Sequence, residues 1–133
     1  MLRVLIPIVL LGGAATAAVS QVDEKAAARG ETAIARDLAG LTPGKPQKCI
    51  RQLEARSSTA YGNTILFKVS SGLVYRNDMG GACSKSPSDA LVTRTPNNLL
   101  CSGEIAQTYD PMIGVQSGSC VFNEFVPYRR ARR

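Results

Sequence analysis

Four cysteines, at positions 49, 83, 101 and 120, and four arginines at the C-terminal end are the reactive or strongly charged groups that stand out in this 133-residue sequence. Cysteine in fours can hold zinc or close two disulfides. Zinc sites normally bring their cysteines in close pairs such as C-x-x-C. Here 33, 17 and 18 residues intervene, so Cys49, Cys83, Cys101 and Cys120 read as two structural disulfides, the usual pattern of a small exported domain. No metal site and no cofactor is expected.

The remaining chemistry is thin. The chain has no histidine, which removes the commonest general base and the usual partner of a nucleophilic serine or cysteine. Glu104, Asp110 and Glu124 could in principle supply the two carboxyl groups of a glycosidase, which must flank a cleft about 5–9 Å apart. No spacing in the sequence brings them together. The glycines of "NDMGGAC" and "VQSGSC" lack the Lys-Ser/Thr of a phosphate-binding loop. Asp78 and Asp89 lack the alternating oxygen ligands of a calcium loop. The seven aromatics, at strand spacing, suit a core better than a base-stacking platform. No catalytic residue is therefore assigned.

Charge narrows the class of partner. The formal net charge is +6, from 16 basic and 10 acidic residues. Without Arg3, Arg129, Arg130, Arg132 and Arg133 the count is 11 against 10, so the body is nearly neutral. A nucleic-acid-binding domain carries its basic face within the fold. The ending "PYRRARR" instead reads as a basic tail, with Arg129, Arg130, Arg132 and Arg133 as candidate contacts to an anionic envelope surface. No nucleic-acid partner is expected, and the sequence leaves the oligomeric state open.

Positioning these groups falls to a short list of elements. Residues 1–20 read as a cleaved signal peptide: Arg3, the apolar run "VLIPIVLL", then small residues including Ala15-Thr16-Ala17. The run is short and carries Pro7, so no membrane anchor is expected to remain after cleavage. Residues 21–47 form a helical arm and linker. Within it, Val22, Ala26, Ile34 and Leu38 make a narrow apolar stripe, Asp23 and Glu24 suit a helix start, and Gly40 suits its end. Two prolines in "LTPGKPQ" then break the helix.

Residues 48–128 form the β-rich disulfide domain, and 129–133 the tail. In "NTILFKV", Ile65, Phe67 and Val69 alternate with Thr64 and Lys68. The turn "SSG" then leads to "LVYRN", which predicts a hairpin over 63–77. "KCIRQLE", "ALVTRT", "EIAQTYD" and "CVFNEFV" bring the set to about six strands. "DMGGACSKSPSD" reads as a loop between them, and "PMIGVQSG" as a separator. The expected fold is mainly β (α+β): a small antiparallel sheet or partly closed barrel, an N-terminal helix and two disulfides.

Laid out this way, residues 45–128 resemble a group of small secreted four-cysteine Gram-negative bacterial proteins. The resemblance rests on Cys49-Ile50, "NTILFKV" leading into "GLVYRND", Cys83, "LLCSGE" and "SGSCVFNEFVPY"; Asn123-Glu124-Phe125 stands where the group often shows Gly-x-Phe. It implies Gram-negative export, to the periplasm or beyond, and a shared four-cysteine domain, with no activity attached. Spacing alone leaves three pairings open. The expected pairing is Cys83–Cys101, clipping consecutive strands, and Cys49–Cys120, joining the first and last strands of a closing sheet. The expected function is a non-catalytic envelope or interaction module. A small enzyme inhibitor presenting residues 78–89 as a rigid loop is the second class, and a carboxylate hydrolase the third.

Overall fold

The computed structural model describes residues 17–83 and 88–131. Residues 1–16 of the expected signal segment, residues 84–87 of the expected loop, and Arg132 and Arg133 lie outside the described residues. Among the described residues one α-helix, α1, runs from Ala17 to Asp37, and a single 3-10 turn covers Gln52–Glu54. The helix therefore begins before Asp23 and Glu24, which sit in its second turn rather than at its positive end. Of the expected stripe, Ile34 and Leu38 are buried, whereas Ala26 is exposed. Those two side chains pack on Leu66 and Val74 with Leu41, Tyr61 and Tyr128 around them. Burial of each contributes about 1.5–3 kcal/mol, enough to offset the glycine in mid-helix.

Eleven strands follow: β1 (Thr42–Pro43), β2 (Cys49–Arg51), β3 (Ser57–Tyr61), β4 (Thr64–Ser70), β5 (Leu73–Asp78), β6 (Gly80–Ala82), β7 (Ala90–Thr93), β8 (Leu99–Cys101), β9 (Ile105–Tyr109), β10 (Gln116–Val121) and β11 (Val126–Arg129). They build a five-stranded sheet in the order β1-β11-β5-β4-β3, a four-stranded sheet β6-β10-β9-β7, and a ribbon β2-β8, all antiparallel. No barrel closes. The predicted 63–77 hairpin is β4 and β5, paired from Thr64↔Asp78 to Ser70↔Leu73. "CVFNEFV" is not one strand: it contains the end of β10, a crossover and the start of β11. Part of the expected loop, Gly80–Ala82, is strand β6 on the edge of the second sheet.

Alternation along the strands explains the layering. Leu66 and Val74 point to α1, while Ile65, Phe67 and Tyr75 point the other way, into a core shared with the second sheet and the ribbon. Phe67, Phe122 and Phe125 meet there, with ring centroids 5.6–6.2 Å apart. The fully buried Asn77 ties the crossover down. Its amide donates to the Asn123 carbonyl (2.7 Å) and its oxygen accepts the Asn123 N–H (3.2 Å). Residues 42–47 are no loose linker, because Gly44 and Gln47 donate to the Pro127 and Phe125 carbonyls at 2.7 and 2.9 Å.

Two polar contacts fasten the helix to the sheet. Arg76 bridges Glu31 (3.2 Å) and Asp78 (3.0 Å). Partial burial disfavours its charge, but the bond to Asp78 and the two carboxylates outweigh it and raise its pKa. The Tyr61 hydroxyl donates to Asp37 at 2.5 Å, and this bond, with burial and the carboxylate charge added, raises the tyrosine pKa. The folded state thus favours the protonated phenol. Its contribution is fully present below the ordinary tyrosine pKa of about 10 and is lost as pH rises through the raised folded value. Tyr61→Phe should lower stability at pH 8 and flatten the further loss toward pH 11, as read from denaturant midpoints. Parallel pH profiles for the two proteins would refute this.

Candidate functional site

The two disulfides are Cys49–Cys101 and Cys83–Cys120, which corrects the expected pairing. Register is the reason. β2 pairs with β8, its neighbour in space but not in sequence, and sets Cys49 directly opposite Cys101 with Cα atoms 4.1 Å apart. β6 pairs with β10, so Cys83, just past the end of β6, reaches Cys120, which lies opposite Gly81. Cys83 and Cys120 are buried against Met79, whereas Cys49 and Cys101 are half-buried. No cysteine is free. Among the described residues no group of three or more His, Cys, Asp and Glu side chains is placed to hold a metal ion.

The three candidate carboxylates serve the local backbone or face water. Glu104 accepts the Cys101 N–H at 3.0 Å, Asp110 accepts the Met112 N–H at 2.8 Å, and Glu124 is exposed on the crossover. Glu104 and Asp110 flank opposite ends of β9, about 20 Å apart along an extended strand. The groove beside Glu104 is lined by no second carboxylate. Glu104 and Asp110 are thus too far apart to act as a glycosidase pair.

The basic ending is divided. Arg129 is the last residue of β11, opposite Leu73 and Thr42. Arg130 donates through its backbone to Gly72 (3.1 Å) and through its guanidinium to the Ser71 carbonyl (3.3 Å). Both are exposed, so they remain available to anions, but from a fixed sheet end rather than a free tail.

The feature that sequence reasoning passed over is the connection from β9 to β10. Its tip carries Met112, Ile113 and Val115 at 90%, 70% and 57% exposure. The turn beneath them is stiff. Asp110 donates its N–H to the Val115 carbonyl (2.9 Å), its own carbonyl accepts from Gly114 (2.8 Å), and its carboxylate holds Met112. Gly114 takes φ +67°, a backbone conformation that costs glycine nothing. Behind the tip, the outer face of the second sheet carries Ile105, directly opposite Val121, and Val92 opposite Gln107. Ile105 is 64% exposed, and with Val92, Arg94, Gly103, Glu104 and Gln107 it lines a groove of about 580 Å³. Apolar residues in a tight turn were the available signal, since turns are normally polar.

Comparison with protein-family models, with curated proteins and with solved structures gives no match. Among the described residues, no helix is long and apolar enough to cross a membrane.

Proposed function

We propose that this chain is an exported, non-catalytic binding module that engages a protein partner through the apolar tip of the β9–β10 hairpin. The carrying observation is the exposure of Met112 and Ile113 on a turn whose backbone is already hydrogen-bonded into one shape. Large exposed apolar groups that gain nothing for the fold mark interaction sites. A tip fixed before contact loses little conformational freedom on docking, so more of its burial becomes affinity. Asp110, the charge at the foot of the tip, disfavours an anionic lipid surface as the tip's target. A partner with an apolar cleft suits it. Inhibition of an enzyme is the case in which that cleft is an active site, and the presenting loop is then 110–115 rather than 78–89. Export to the periplasm or beyond, through residues 1–20, belongs to this reading and is supported by two closed disulfides, which persist in oxidising compartments.

Affinity capture from an envelope fraction tests the proposal. Met112→Asp/Ile113→Asp should reduce recovery of the captured partner at least about tenfold. Its stability should stay within about 0.5 kcal/mol of the parent, because both side chains already face water. Removal of Arg132 and Arg133 should leave recovery unchanged. Equal capture by the tip variant would refute the tip as the binding element, and loss only with the two arginines would transfer the role to the basic ending.

A further inference from the structure

A second concave site lies away from the tip, where the two sheets end side by side. β3 is one edge of the five-stranded sheet and β7 one edge of the four-stranded sheet. They do not pair with each other, and a cavity of about 260 Å³ opens between them. Phe67 from β4, Leu91 from β7, Leu100 from β8 and Ala55 give it apolar walls. These side chains belong to or pack on the core shared by the sheets, so the cavity opens directly onto that core.

Its mouth is of the opposite character. Arg56 lines it together with Ser57, Ser58 and Thr93, and of the two serines it is Ser58 that lies opposite Phe67, on the cavity's side of the sheet. The Arg56 backbone is fixed by donation to the Lys68 carbonyl at 2.8 Å. Its guanidinium makes no ion pair among the described residues, and the neighbouring carboxylate, Glu54, is engaged with Arg51 at 3.7 Å. An uncommitted cation with hydroxyl donors beside it, above an apolar floor, is complementary to one chemical class.

We infer that the inter-sheet cavity binds a small amphipathic carboxylate, its apolar end against Phe67, Leu91 and Leu100 and its carboxylate on Arg56. A guanidinium can meet a carboxylate with two parallel N–H donors, which sets the ligand's direction as well as its charge. The volume corresponds to roughly nine waters at about 30 Å³ each, which suits a ligand of roughly eight to ten non-hydrogen atoms. An added peptide strand suits the place less well. β7 offers an edge of only four residues, Ala90–Thr93.

The test is a titration of the full, disulfide-closed chain with hexanoate, followed by two-dimensional amide NMR, with hexanol and hexylamine as matched neutral and cationic probes. Hexanoate should produce saturable shifts centred on Arg56, Ser58, Leu91 and Thr93. Hexanol should bind at least about tenfold more weakly, and hexylamine should give no saturable shift there. Arg56→Gln, a change at an exposed position, should weaken hexanoate about tenfold while leaving the hairpin tip and its partner capture intact. Ser58→Phe, which fills the mouth, should abolish the shifts. Absence of saturable hexanoate shifts, shifts centred elsewhere, or undiminished binding by Arg56→Gln would overturn the inference.

Discussion

Cys83→Ala/Cys120→Ala should lower the free energy of unfolding by more than Cys49→Ala/Cys101→Ala. In the chain-entropy account, a cross-link spanning 37 residues restricts the unfolded state by about 3.8 kcal/mol, and the 52-residue Cys49–Cys101 link by about 4.1 kcal/mol. Loop length alone therefore ranks the outer disulfide first. Burial reverses the order. Cys83 and Cys120 are 2% and 1% exposed, in contact with the Met79 sulfur, and truncating both to alanine adds a cavity between the sheets. Cys49 and Cys101 are half-buried, so their removal leaves less empty space. Denaturant unfolding of the two double variants should place the 83/120 variant below the 49/101 variant. The reverse order would mean that chain entropy governs and the sulfur cluster packs weakly. Proteolysis without reduction should release the 49/101 and 83/120 peptides as linked pairs, and recovery of a 49/120 link would overturn the register itself.

That register also explains how much of the molecule was legible in the sequence. The β4–β5 hairpin was readable because everything that makes it is local: Ile65, Phe67 and Val69 alternate, and a tight turn follows. Helix α1 was readable through Ile34 and Leu38, which are four residues apart and land on one face. The cysteine pairs were not, because they depend on β2 finding β8 and β6 finding β10 across more than 35 residues each. β1, β2, β6 and β8 have two or three residues apiece, too few to show a period of two. Their pairing is enforced by the partners, not announced by their own pattern. Residues 126–129 joined the sheet for a similar reason. Pro127 faces the core and Tyr128 faces α1, so pairing carries Arg129 into the strand despite its charge.

The candidate site divides in the same way. The tip's apolar residues stand openly in "PMIGVQSG", and only the assumption that a separator is inert hid them. The inter-sheet cavity had no comparable signal. Its walls come from β4, β7, β8 and the turn after β2, and its cation, Arg56, looks like any surface arginine until the strand edges are placed.

Gly118→Ala, the single substitution with the largest expected effect, tests the same junction from the other side. A methyl group there would lie 2.5 Å from the Cys83 carbonyl oxygen, 2.6 Å from that of Ala82 and 2.8 Å from the Thr108 hydroxyl. Two of these are backbone atoms of a strand pair, so the clash cannot be relieved by turning a side chain. Either β6 moves off β10, pulling at Cys83–Cys120, or β10 shifts at the irregularity it already has between Gln116 and Gly118. Both routes disturb Thr108, which is buried and bonded to Ser117 at 3.1 Å. Overpacking of this kind costs about 1–3 kcal/mol, and the backbone on two sides puts Gly118→Ala at the upper end. Gly80→Ala is the matched control. It lies on β6, the edge strand that pairs with β10, with nothing within 4 Å of the added methyl, and should be neutral or stabilising by up to about 1 kcal/mol. A denaturant midpoint for Gly118→Ala equal to that of Gly80→Ala would show that β6 yields freely. The edge of the second sheet would then be soft, and the buried disulfide alone would hold it to the core.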